Sequence, residues 1–172
     1  MKGLKGLASV IFLFGLTVFS PYAQAESKPG LVKPPTESQS TPNPSVGSDK
    51  KPTTELERAF QLSQEKDYRG AIQLFTKVIK TEPNNPYAYI GRGSTYLVLE
   101  NYQQAKIDLD KSINLNSEIA YAHFFRGLSN LGLQDKENAI SDLETAANIF
   151  QKNGETELEK ETLDVIKQIR NT

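Results

Sequence analysis

The chain of 172 residues has no cysteine, no tryptophan and a single histidine, His123. Without cysteine there can be no disulfide, thiolate metal centre or cysteine nucleophile. One histidine leaves no cluster for a histidine-based metal site or proton relay. Charge of one sign is not concentrated either: 20 basic and 21 acidic residues give a formal net charge of -1, with no long single-sign run outside Lys50-Lys51. Nucleic acid calls for a basic stripe, so it is not expected as a partner. There is also no glycine-rich phosphate loop, paired His and Glu metal motif or serine elbow. Asp108, Asp110, Asp142 and Glu144 sit at helical spacings expected of solvated faces with i to i+4 partners. No enzyme, cofactor or metal ion is therefore expected.

With 37% hydrophobic and 24% charged residues, the composition is that of one ordinary soluble domain. Its N-terminus differs from the rest. Residues 1–25 carry Lys2 and Lys5, an apolar run from Leu7 to Phe19 and Ala23-Gln24-Ala25, the three parts of a secretory signal cleaved after Ala25. A retained membrane anchor is the competing reading, but a helix over that run is about 20 Å long against roughly 30 Å of hydrocarbon. Cleavage would remove two lysines and no acid, leaving 18 basic against 21 acidic residues, a net charge of -3. Residues 26–52 hold Pro29, Pro34, Pro35, Pro42, Pro44 and Pro52 among serines and threonines, with Leu31, Val32 and Val46 as their aliphatics. So little apolar surface cannot offset the entropy of ordering, and a disordered or polyproline-like linker is expected.

From Thr53 onward the hydrophobic period is about 3.6 and helix starts recur. Thr54 with Glu57 reads as a capping box, Asp67, Asn101 and Asp135 as N-caps 34 residues apart, and Asn85-Pro86 as a further start. These signals predict helices over roughly 54–65, 68–81, 86–99, 102–115, 119–133 and 136–151, and a seventh over about 155–169. Three hairpins in register place Ala59, Gly93 and Gly127 on first helices and Ala71, Ala105 and Ala139 on second helices, all small. Small residues there let paired helices approach closely. Leu62, Tyr96, Phe75, Leu109, Leu143 and Val78 are the expected core. Arg58, Arg92 and Arg126 share one register, and Asp108 and Asp142 another, so the arginines are expected to be tied to carboxylates of the array.

A 34-residue helix-turn-helix with these small and aromatic positions resembles the tetratricopeptide repeat. Residues 52–85, 86–119 and 120–153 fit three units, with a closing helix after Gly154. The resemblance implies an all-α solenoid over 53–172 with a C-terminal capping helix. Glu55, Tyr89 and His123 depart from the large residue, often tryptophan, that the family favours, and His123 is expected to pack with its ring nitrogen satisfied locally. Ser117 and Gln151 replace the unit-ending proline seen at Pro83, which should let the sixth helix run on towards Asn153.

In the family, first helices line a concave groove that receives peptides or extended protein segments. In this register the groove holds Leu56, Phe60, Tyr87, Ile90, Ser94, Leu97, Tyr121, Phe124 and Leu128, an apolar and aromatic surface suited to a protein or peptide partner. Each aliphatic could equally serve to pack first helices together, whereas Tyr87 and Tyr121 carry polar tips suited to contact. Family members that grip a C-terminal carboxylate do so with basic residues and asparagines; here the places hold Leu56, Phe60, Gly91, Tyr121 and Phe125, so no such clamp can form. The expectation is a secreted or periplasmic interaction scaffold, of use as an assembly factor and without stable membrane insertion after cleavage. The alternatives are a self-associating structural subunit of an envelope assembly using its outer faces, and a chain tethered by an uncleaved N-terminus.

Overall fold

The computed structural model describes residues 54–171. The expected signal, the linker and Thr53, where the folded block is expected to start, lie outside the described residues. Within them are seven helices and no strand: α1 (Glu55–Gln64), α2 (Tyr68–Thr81), α3 (Pro86–Val98), α4 (Tyr102–Leu115), α5 (Ala120–Gly132), α6 (Lys136–Asn153) and α7 (Thr156–Arg170).

Four of the helices, α1, α2, α3 and α6, begin where a side chain satisfies an orphan backbone donor. At α1 the capping box is reciprocal, Thr54 Oγ1 accepting from the Glu57 amide and Glu57 Oε2 from the Thr54 amide, both at 3.1 Å. Asp67 accepts from Gly70 N at 2.9 Å, Asn85 from Tyr87 N at 3.1 Å and Asp135 from Asn138 N at 3.2 Å. Asn101 departs from the expected capping: it occupies the N-cap of α4, but its side chain makes no cap hydrogen bond, and neither do Ile119 before α5 or Glu155 before α7. Backbone bonds hold that turn instead, from Asn101 N to Tyr96 O at 2.9 Å and from Ala105 N to Asn101 O at 3.0 Å.

The hairpin turns repeat as faithfully as the helices. Lys66, Glu100 and Gln134 stand 34 residues apart with φ of 65°, 59° and 66°. In each turn the next amide reaches back five residues, as Asp67 N to Leu62 O at 2.8 Å and Asp135 N to Asn130 O at 2.9 Å, the bond of a Schellman helix end. The fourth such end, after α6, places Gly154 at φ 77° with Glu155 N on Phe150 O at 2.9 Å. Glycine adopts this conformation without the Cβ clash that the other three tolerate. As expected from the missing proline, α6 runs on to Asn153.

The hairpins α1/α2, α3/α4 and α5/α6 stack in order, and α7 packs on α6. The first helices also meet directly, α1 on α3 and α3 on α5, whereas the second helices lack comparable contacts with one another. Closer spacing on one side curves the stack, with first helices on the inner face. Gly127 sets one close approach: a Cβ there would lie 2.9 Å from Leu143 Cγ and 3.0 Å from the Ala139 carbonyl. The expected plugs Phe75, Leu109 and Leu143 are fully buried, as are Ala59, Ala71, Ala105 and Ala139, while Leu62 and Tyr96 are partly buried against them. Each large side chain so buried contributes about 1.5–3 kcal/mol relative to leaving it in water.

Candidate functional site

The inner face is built by α1, α3 and α5, and its floor is almost free of charge. On α3 the one charged residue is Arg92 and on α5 it is Arg126. Both turn away from the groove into clasps of the same design. Arg92 donates Nε and Nη2 to the two oxygens of Asp108, each at 2.7 Å, and Nη1 to Thr76 Oγ1 at 3.0 Å. Arg126 donates Nε and Nη2 to Asp142 at 2.9 and 2.5 Å, and Nη1 to Asp110 at 2.8 Å. Every partner lies 16 residues from its arginine, so the clasp is a property of the repeat. The carboxylate bonding holds both guanidinium groups above their ordinary pKa, against the opposing effect of burial. Asp108 and Asp142 are therefore not on solvated faces: they are 5% and 6% exposed. Asp110 keeps the expected i to i+4 neighbour, with Lys106 Nζ at 3.9 Å, and Glu144 pairs with Arg170 at 2.6 Å.

Asp142 is the more enclosed of the two carboxylates. Asn130 Nδ2 donates to it at 2.9 Å and the His123 ring stands 3.9 Å away. Burial would raise its pKa, but the His123 and Arg126 groups outweigh burial and hold the carboxyl below the usual range. His123 is fixed by its other nitrogen, which lies 3.0 Å from the Ser117 carbonyl. A carbonyl only accepts, so Nε2 carries the proton. One unit earlier Tyr89 does the same, its hydroxyl donating to the Pro83 carbonyl at 3.1 Å. Both rings close the preceding turn from the position where the family favours a large residue.

The nine residues expected on the groove do not share one environment. Leu56, Tyr87 and Ser94 are half-buried and reach the surface. Phe60 is 9% exposed and sets its edge against Phe75 at 4.9 Å. Ile90, Leu97, Phe124 and Leu128 are fully buried. Tyr121, at 3%, lies edge-on to Phe150 at 5.3 Å, its phenol pushed up in pKa by burial and then by Glu155 and Glu161. Buried side chains on an inner face follow from the direct contacts between successive first helices: aliphatics there serve the stack. Ser94 Oγ donates to its own helix at Gly91 O, 3.0 Å away.

Asp110, Thr76 and Asn130 were missed as members of the clasps, although the 34-residue spacing of Thr76 and Asp110 was the signal that could have found them. A separate depression of about 480 Å³ opens on the turn edge among Lys66, Asp67, Tyr68, Arg69, Ile72 and Leu99, away from the inner face. Among the described residues, no group of acidic and histidine side chains could hold a metal ion, and no helix is long and apolar enough to cross a membrane.

Residues 62–119 match the family model described as Tetratricopeptide repeat. Over that stretch the chain is similar to the tetratricopeptide repeat family. Its repeats superpose on the first such domain of Spaghetti (RPAP3) bound to the HSP90 peptide SRMEEVD, with 25% identity and a TM-score of 0.62, over 68% of this chain and 88% of that one. The second domain of human RPAP3, in complex with the HSP70 peptide SGPTIEEVD, aligns at 24% identity and 0.60, covering 67% and 92%. The Yersinia enterocolitica type III secretion translocator chaperone SycD aligns at 17% identity and 0.64, covering 67% and 89%. These likenesses establish the all-α repeat solenoid. No match was found among curated protein sequences.

Proposed function

We propose that this tetratricopeptide repeat protein is an exported scaffold that binds an extended peptide or protein segment along its inner face and serves as an assembly factor. The observation that carries the reading is the half-buried apolar pair Leu56 and Tyr87, on successive first helices and continuous with the core. The related domains of RPAP3 and Spaghetti hold peptides, which supports a peptide ligand here. A pre-formed face of this kind needs little reorganisation to receive an extended chain. Export rests on the N-terminal basic, apolar and small-residue segments; N-terminal sequencing of the protein from its host should begin at Glu26, and an intact Met1 would favour the tether.

Site-specific photo-crosslinking tests the face directly. A crosslinker at Tyr87 should capture a partner in the native host, and one at Ile107, which is 57% exposed on α4, should not. Capture from Ile107 alone would move binding to the outer face. Ile107 is also the observation behind a second reading, self-association through the outer helices, for which light scattering should show a concentration-dependent mass that Ile107→Lys abolishes.

A further inference from the structure

We propose that the inner face selects a cationic, apolar segment, one in which lysine or arginine flanks aliphatic or aromatic residues, and rejects acidic tails. The inference rests on the groove reading above and specifies its ligand.

Two features of the fold set the sign. The first is the removal of positive charge from the floor. Arg92 and Arg126 are the charged residues of α3 and α5, and each is neutralised by carboxylates of the second helices through two- and three-point bonds. His123 is turned to the Ser117 carbonyl. Arg58, on α1, stands 3.9 Å from Glu65. No cation of α3 or α5 is left to meet a ligand carboxylate.

The second feature is the rim provided by α7. Its buried stripe is Leu158, Thr162, Val165, Ile166 and Ile169, with Leu158 partly covered. One flank of that stripe faces α6: Glu159 accepts from Gln151 at 2.8 Å and Arg170 donates to Glu144 at 2.6 Å. By helical periodicity residues 157, 161, 164 and 168 form the opposite flank. Since α6 is an outer helix, this flank borders the inner face, and the influence of Glu161 on the Tyr121 phenol of α5 agrees with that placement. The residues there are Glu157, Glu161, Asp164 and Gln168, and the three acids are exposed. An apolar floor with an acidic border attracts the opposite charge and raises the cost of like charge. The peptides held by the related domains, SRMEEVD and SGPTIEEVD, end in acidic residues, so this chain should discriminate against them.

The test uses the protein as purified from its host and three synthetic peptides of equal length, sharing a Leu-Val-Phe core and flanked by lysine, serine or glutamate. Affinity is measured by fluorescence anisotropy at low salt, together with the Tyr87→Ala variant and the triple variant Glu157→Gln, Glu161→Gln, Asp164→Asn. The lysine peptide should bind about tenfold more tightly than the serine peptide, and the glutamate peptide more weakly than either. The triple variant should erase that ordering while keeping the serine peptide's affinity, and added salt should compress it. Equal binding of all three peptides, lost in Tyr87→Ala, overturns the charge inference and leaves the groove standing. Binding of none overturns both.

Discussion

The first and third units of the array are built on one register and differ in how much of it they use. In the third, α5 buries ten residues from Ala120 to Asn130, and Arg126 is clasped by Asp142 and Asp110. In the first, α1 is three residues shorter, 10 against 13, and buries Ala59 and Phe60. Leu74 stands where the later units place Asp108 and Asp142, so Arg58 has no carboxylate across the hairpin and stays 46% exposed. A repeat draws stability from its own packing and from its neighbours. The third unit has α4 on one side and α7 on the other, which makes it the firm end, and α1 the element that should open first.

Removing the clasp where it is complete should have the largest effect. Asp142→Ala leaves Asn130 without the carboxylate it donates to and Arg126 with Asp110 as its remaining carboxylate, and should cost about 3–5 kcal/mol in denaturant unfolding. Arg58→Ala, in the matching register of the first unit, should stay within about 0.5 kcal/mol. Equal losses would erase the distinction between the two ends. Gly127→Ala comes next. Its Cβ meets Leu143 and the Ala139 carbonyl at 2.9 and 3.0 Å, and overpacking of that kind costs about 1–3 kcal/mol; yet the first unit carries Ala59 in the same register and buries it completely.

Acid sharpens the comparison through one group. The Asp142 carboxyl titrates below its unfolded value, so the stability it contributes is present above the ordinary carboxylate range and is lost as pH falls through its folded pKa. Thermal melts should be level from neutral pH down to the ordinary carboxylate range and fall below it. Asp142→Asn should flatten the part of that fall belonging to the third unit. Thr54→Ala removes the capping box of α1 and should cost about 1 kcal/mol, seen as faster amide exchange in α1 before any change in α5. The smallest effect is a gain. Gln134→Gly relieves a left-handed φ of 66° and should stabilise by under about 1 kcal/mol, the relief being partly offset by the greater freedom of glycine when unfolded.

Most of the architecture could be read before any coordinates because caps, small residues and plugs all recur at 34 residues. The arginine clasps were legible for the same reason: Arg92 with Asp108 and Arg126 with Asp142 keep one spacing. Burial on the inner face was not. Ile90, Phe124 and Leu128 have the same residue types whether they meet a ligand or the next helix, and the distance between first helices decides between them. The turns hid as well, because lysine, glutamate and glutamine at 66, 100 and 134 give no hint of a positive φ, which the backbone bonds of the helix end impose.

The proposal to test first is that the inner face is the surface that binds. Its most direct measurement is a backbone amide NMR titration of the protein with the lysine-flanked peptide. Saturable shifts are expected, centred on Leu56, Tyr87 and Ser94 and running to the Glu161 flank of α7, with Ile107 and the outer face of α4 unmoved. Shifts centred on Ile107, with Tyr87 and Ser94 unmoved, would contradict it.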